Sequence, residues 1–259
     1  MRLITWNVNS VKARLPRVCE LLDQHSPDVV CVQETKVAGE TFPHEVLADR
    51  GYRAVERSQG RWNGVAILTP RDSVVEDVEV ALTDEPDPAE ARWIEATVDG
   101  VRVASVYVPN GREPSHPMFE AKLRFLDAMR ARTEELVASG PTVVAGDLNV
   151  ALEDRDVWDP KQFVGATHVT PEERDRLWAI LELGLVDAFR AVEPDAEGFT
   201  WWDYRMQAFR RRMGMRLDLA LVSPHLTVRD CRVDTSFRLA NDAGDKPSDH
   251  APLLVELER

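Results

Sequence analysis

The sequence predicts an α/β sandwich of four layers, two mixed β-sheets packed face to face with helices outside. Three observations carry that expectation. Short β-branched runs recur along the 259 residues, helical patterns lie between them, and one unit is repeated. The strand–helix–strand order "ITWN", helix, "VVCVQE" near the start is echoed by "VYVPN", helix, "VVAGDLN" in the middle.

The predicted strands are "RLITW" (2–6), "DVVCVQ" (28–33), "GVAILT" (64–69), "RWIEATV" (92–98), "VRVASVYV" (101–108), "PTVVAGD" (141–147), "LDLALVS" (217–223) and "APLLVEL" (251–257). Each is short and β-branched or alternating, as half-buried and buried strands are. The first helix is expected over 11–25, capped by Ser10. The second, over 116–139, has apolar residues at three- and four-residue spacing. The third opens with Thr170 as cap, Pro171 at the first helical position and Glu173 in the first turn, and Gly184 closes it.

No Ser/Gly linker or low-complexity tract divides the chain, so a single domain over 1–259 is expected. Hydrophobic residues at 44% and charged residues at 30% describe an ordinary globular protein. Cys19, Cys31 and Cys231 show no metal spacing and read as buried reduced thiols, which fits a cytoplasmic location. The first ten residues, "MRLITWNVNS", lack the apolar core of a secretory signal, and no apolar run is long enough for a membrane span. With no long N-terminal extension, no separate regulatory module is expected, and a monomer is the default. The net charge of −13 argues against a protein that coats nucleic acid nonspecifically. Local phosphate binding remains open, because "FRRRMGMR" (209–216) concentrates positive charge.

Polar residues recur where apolar strands end. They are Asn7 and Asn9, Glu34, Tyr107 and Asn110, Asp147 and Asn149, Asp218, and the pair Asp249–His250. Asn and Asp commonly end strands, but six such places using only Asn, Asp, Glu, Tyr and His exceed what turn chemistry needs. Oxygen donors without thiolates suit Mg²⁺, or Mn²⁺ as a substitute, rather than structural zinc. Glu34 is the best single ligand candidate, with Asn7 as a neutral companion. Asp147 could polarise a water, and Asn149 could orient it or hold a phosphate oxygen. His250 could donate to another phosphate oxygen, with Asp249 or Asp218 fixing the imidazole. Tyr107 could donate to the reaction centre or stabilise it as phenolate. Together these are the equipment for metal-assisted hydrolysis of a phosphate ester. There is no GxSxG, no Cys beside a His and no phosphate-cradling glycine loop.

In this order, "LITWNVNSVKAR", "DVVCVQETK", "YVPNG", "GDLNV", "RLDLALVS" and "KPSDHAPL" resemble the exonuclease III family of apurinic/apyrimidinic endonucleases, within the endonuclease/exonuclease/phosphatase superfamily. The motifs span Leu3 to Leu253. "SDHAPL" and "GDLN" mark only the superfamily, whereas "QETK", "FTWWDYR" and "RLDLALVS" narrow it to the DNA-repair branch.

The resemblance implies a metal site around Glu34 with Asn7 and Asp249, and an active-site Tyr107. Asp147, Asn149 and His250 complete the donors within its reach. It implies that Asp147 activates water or protonates the leaving group, that Asn149 stabilises the transition state, and that Asp218 and Asp249 act through His250 on the scissile phosphate. Arg92 matches a family arginine near the DNA. Trp201, Met215 and Leu217 would wall a pocket for an extruded sugar without a base. Asn110 and the arginines Arg210, Arg211, Arg212 and Arg216 are expected at phosphates, with Lys12, Arg14 and Lys36 extending that strip. Two departures stand out: Asn9 replaces an aspartate, and Asn110 a glutamine, of some relatives. The remaining histidines, His25, His44, His116, His168 and His225, are expected at the surface.

The implied activity is Mg²⁺-dependent cleavage of duplex DNA 5′ to abasic sites, in base excision repair, with 3′→5′ exonuclease and 3′-phosphatase activity. The alternatives are a superfamily hydrolase of small phosphate esters and a damage-binding protein without catalysis. The segment from Trp201 to Leu217 speaks against the first, and Glu34, Asp147, Asn149, Asp218 and His250 speak against the second.

Overall fold

The computed structural model describes all 259 residues, Met1–Arg259. Its strands are β1 (Arg2–Asn7), β2 (Val29–Gln33), β3 (Tyr52–Arg57), β4 (Val65–Pro70), β5 (Val75–Val80), β6 (Trp93–Val98), β7 (Val101–Tyr107), β8 (Thr142–Asp147), β9 (Val186–Asp187), β10 (Asp218–Val222), β11 (Thr227–Val233) and β12 (Leu253–Glu258). The helices are α1 (Leu15–His25), α2 (His44–Ala48), α3 (Pro117–Ser139), α4 (Pro171–Leu181) and α5 (Ala188–Val192). One six-stranded sheet runs β11-β12-β1-β2-β4-β3 and the other β5-β6-β7-β8-β10-β9. Each contains one parallel pair, β1–β2 and β7–β8, closed by α1 and α3. These are the two halves of the repeat visible in the sequence.

Strand parity separates three apolar layers. Leu3, Cys31, Val103, Val143, Ala145 and Ala220 point into the space between the sheets. Ile4, Trp6, Val30 and Val32 point outward, onto Val18, Leu21 and Leu22 of α1 and Leu47 of α2. Ala104, Val106, Val144, Leu219 and Leu221 cover the other outer face, under Phe125, Leu126 and Met129 of α3 and Leu177 and Ile180 of α4. Each fully buried aliphatic side chain contributes ~1.5–3 kcal/mol. The four-layer expectation therefore holds.

The four strands absent from the sequence reading, β3, β5, β9 and β11, are the four sheet edges. An edge strand has one unpaired side and little to cover, so its pattern carries charge. β5 reads Val-Glu-Asp-Val-Glu-Val and is almost wholly exposed. The first helix also starts later than expected. The Ser10 hydroxyl accepts from the Ala13 amide within a turn, and α1 begins only at Leu15 with Pro16 in its first turn. The α4 cap is as expected, with Thr170 and Glu173 forming a reciprocal capping box. His116 is no idle surface residue, since its Nδ1 accepts from the Met118 amide and caps α3. All three cysteines are free and buried. No helix is long and apolar enough to cross a membrane.

Candidate active site

Between the sheets, the inward-facing positions turn polar toward one end. Leu3 is followed two residues on by Thr5 and then Asn7; Cys31 by Gln33; Val103 by Ser105 and Tyr107; Ala145 by Asp147. Gln33 Nε2 bonds Thr5 Oγ1 and Ser105 Oγ, both at 3.1 Å, tying the sheets together beneath the site. Register does the rest. Asp147 lies opposite Tyr107 on one neighbouring strand and opposite Asp218 on the other. Gly146 lets those strands approach, because a Cβ there would stand 1.9 Å from the Val106 carbonyl oxygen.

Asn7 bridges the sheets. Its Nδ2 donates to Glu34 Oε1 at 2.8 Å and to Asp147 Oδ2 at 2.9 Å. Glu34 Oε2 pairs with Lys36 Nζ at 2.5 Å, and Lys36 also donates to Asn9 Oδ1 at 2.7 Å. Asn9 Nδ2 in turn donates to Asp249 Oδ1 at 2.9 Å, and Trp201 Nε1 to Asp249 Oδ2 at 3.1 Å. His250 Nδ1 meets Asp218 Oδ2 at 2.7 Å, and its Nε2 stands 3.7 Å from Asp147 Oδ2. The last loop is held to β1 by Ser248 Oγ on the Asn7 carbonyl and by Trp6 Nε1 on the His250 carbonyl. Asn9, Glu34, Lys36, Asn149 and His168 all have positive φ, a conformation that surrounding contacts must hold.

The charges are strongly coupled. Burial raises the Asp147 carboxyl to about 7; Asp218 adds to the rise, while the His250 charge opposes it. Burial alone would keep His250 neutral, but Asp218 and Asp147 override it and hold the imidazolium to about 10. Asp249 is also penalised by burial, yet His250 and the bonds from Asn9 and Trp201 pull it below the ordinary carboxylate range. Tyr107 stays protonated, pushed up by burial and then by the charges of Glu34 and Asp147.

Several expected residues are placed differently. Arg92 is buried under the Tyr107 ring, 4.8 Å from its centroid, and paired with Glu90, so it supports the tyrosine. Arg216 is fully buried against Asp156 and Asp187, which removes it from the basic strip. Lys36 is bound to Glu34. Arg211 and Arg212 are exposed but do not line the pocket, and Arg212 pairs with Glu197.

Trp201, Met215 and Leu217 do line a pocket of about 710 Å³ beside Tyr107, Asp147 and His250, and Asn110 and Asn149 reach its polar wall. Met215 and Leu217 are its buried floor, whereas Trp202 is packed below against Phe209. His168, expected at the surface, also lines this pocket. Its Nδ1 lies 2.6 Å from the Asn149 carbonyl and its Nε2 3.4 Å from Asn110 Nδ2. A lone histidine in a polar loop gave no periodic signal by which to find it.

No three His, Cys, Asp or Glu side chains converge as a protein-only metal cage. The Lys36 ammonium against Glu34 shows that this carboxylate accepts a cation. One carboxylate, neighbouring amides and an open pocket fit a hard ion that keeps water and phosphate oxygens in its shell.

A model of the endonuclease/exonuclease/phosphatase family matches residues 4–250. The chain belongs to that family. Within the family it is 33% identical to the exodeoxyribonuclease III of Haemophilus influenzae over all of both chains. A Neisseria 3′-phosphatase bound to a product DNA hairpin is 38% identical and superimposes with a TM-score of 0.95, and an AP endonuclease of Archaeoglobus fulgidus is 35% identical with 0.93. Both comparisons cover the whole of each chain. This member of the endonuclease/exonuclease/phosphatase family is thus a nuclease of the exonuclease III type.

Proposed function

We propose that the protein is a monomeric, single-domain, Mg²⁺-dependent hydrolase of base excision repair. It cuts duplex DNA 5′ to abasic sites and trims 3′ ends. One observation carries this reading: residues from both sheets set a carboxylate–imidazole centre beside a pocket walled by Trp201, Met215 and Leu217. A sugar without a base fits such an apolar wall, while the scissile phosphate lies against the polar one.

Glu34, with Asn7 beside it, would hold Mg²⁺; Mn²⁺ would substitute. When bound, the ion neutralises charge on the phosphate oxygens. Asp147, poised near neutrality, takes the proton of the attacking water. His250, held charged by Asp218, donates to a non-bridging phosphate oxygen. Asn149 supports a second such oxygen and Tyr107, kept protonated, donates from beneath. Asp249 fixes Trp201 and Asn9 around the same centre. Arg211 and Arg212 give distant backbone contacts.

A second reading, in which removal of 3′-terminal groups dominates over internal incision, is supported by the likeness to the Neisseria 3′-phosphatase and by His168 occupying part of the pocket wall. One experiment separates them. Duplexes bearing an internal tetrahydrofuran site or a 3′-phosphate are incubated with Mg²⁺, then with EDTA. Metal-dependent incision at the tetrahydrofuran supports the first reading, and 3′-phosphate release without incision supports the second. Binding without turnover of either would sink both.

A further inference from the structure

Lys122 of α3 and Glu173 of α4 form an ion pair with neither side chain exposed. Such a pair is weak evidence for stability, because desolvation offsets the attraction. Its other bonds show where it acts. Lys122 Nζ donates to the Asn149 carbonyl at 2.6 Å, the Asn110 carbonyl at 3.3 Å and Thr167 Oγ1 at 3.4 Å. Glu173 Oε1 accepts from the His168 amide and Thr167 Oγ1, both at 2.9 Å, while Oε2 accepts from the amide and hydroxyl of Thr170. The pair therefore grips three loops at once, those carrying Asn110, Asn149 and His168.

Two of these residues are in the left-handed backbone region, Asn149 with φ 50° and His168 with φ 77°. Both are strained conformations that surrounding contacts must impose. The pair binds the carbonyl of one and the amide of the other. Gly111 completes the packing, since a Cβ there would stand 3.0 Å from Lys122 Cδ and 2.9 Å from Thr167 Oγ1.

We infer that Lys122 and Glu173 are positioning residues, which hold the Asn110, Asn149 and His168 wall at the phosphate without touching the substrate. This rests on the proposed DNA-hydrolase reading and deepens it. A misplacement of ~1 Å at such a wall costs up to about 100-fold in rate.

The test uses the full chain with Glu173→Gln, which is isosteric, and Lys122→Met/Glu173→Met, which leaves no lone buried charge. Two measurements are made on each: kcat and KM for release of a 3′-phosphate from a duplex in Mg²⁺, and amide hydrogen exchange without substrate. We expect kcat to fall about tenfold or more with KM within about twofold. We also expect His168 to lose amide protection in the double variant while α3 and α4 keep theirs. Unchanged His168 protection in the double variant, or kcat within about twofold of the parent in either variant, would overturn the inference. So would loss of protection across both helices or failure to fold in both variants, which would make the pair a structural staple. The exchange arm needs no turnover, so it judges the inference even if the parent leaves DNA uncut and the functional reading fails.

Discussion

His250 Nδ1 and Asp218 Oδ2 stand 2.7 Å apart, one from the loop before the last strand and the other from the first residue of β10. The bond fixes which imidazole nitrogen faces the phosphate side, and the aspartate keeps the ring charged. Folded His250 titrates at about 10, above the ~6.5 of an unfolded chain. Its contribution to stability is therefore complete below about pH 6.5 and is lost as pH rises through 10. Asp218→Asn should lower the imidazole pKa, read by NMR titration, and cut DNA hydrolysis by about 100-fold at pH 8. An unshifted imidazole would refute the coupling.

Asp147 behaves in the opposite way to a paired carboxylate. Its folded value of about 7 lies above the ~3.9 of an unfolded chain, so folding takes up a proton between those values and stability falls across that window. Asp147→Asn should remove the loss. In EDTA at pH 8 its Tm should rise by about 2–4 °C, while hydrolysis drops by orders of magnitude and DNA binding persists. A variant that is both active and no more stable contradicts the role given to Asp147.

Cation binding at Glu34 should be visible without substrate. Mg²⁺ at 100 times its Kd should stabilise the native protein by about 2.7 kcal/mol, and Glu34→Gln should abolish that gain in thermal unfolding. An equal Mg²⁺-induced shift in the variant would place the ion elsewhere.

The arginines of 209–216 should separate cleanly. Arg216→Leu leaves Asp156 and Asp187 without their shared cation and should cost ~3–5 kcal/mol in denaturant unfolding. Arg211→Ala with Arg212→Ala should leave stability unchanged and weaken DNA binding. The salt slope should fall by about 1 for each phosphate no longer neutralised. A stable Arg216→Leu protein would contradict its placement as a buried strut.

How much of this was legible beforehand follows from where each residue sits. Central strands such as "VVCVQ" and "TVVAG" are covered on both faces, so their apolar runs announce them. The edges could not be read because only one side of each is paired. The line Asn7, Glu34, Asp147, Asp218, His250 was visible because each member is a polar residue at or next to the end of an apolar strand-like run. Arg216 is buried where the basic run 209–216 suggested a phosphate contact, because charge alone does not say whether an arginine meets a phosphate or a buried carboxylate. Lys122 and Glu173 lie on helices and look like solvated positions until tertiary packing turns them inward.

Asn7 ends β1 and His250 leads into β12, its neighbour in the sheet, yet the two lie at opposite ends of the chain. Asp147 reaches both from the other sheet. No contiguous stretch of the first or last two hundred residues contains all three. The proposed DNA-cutting centre therefore closes only when both ends of the chain are in place, and any fragment without Asn7 or His250 lacks part of it.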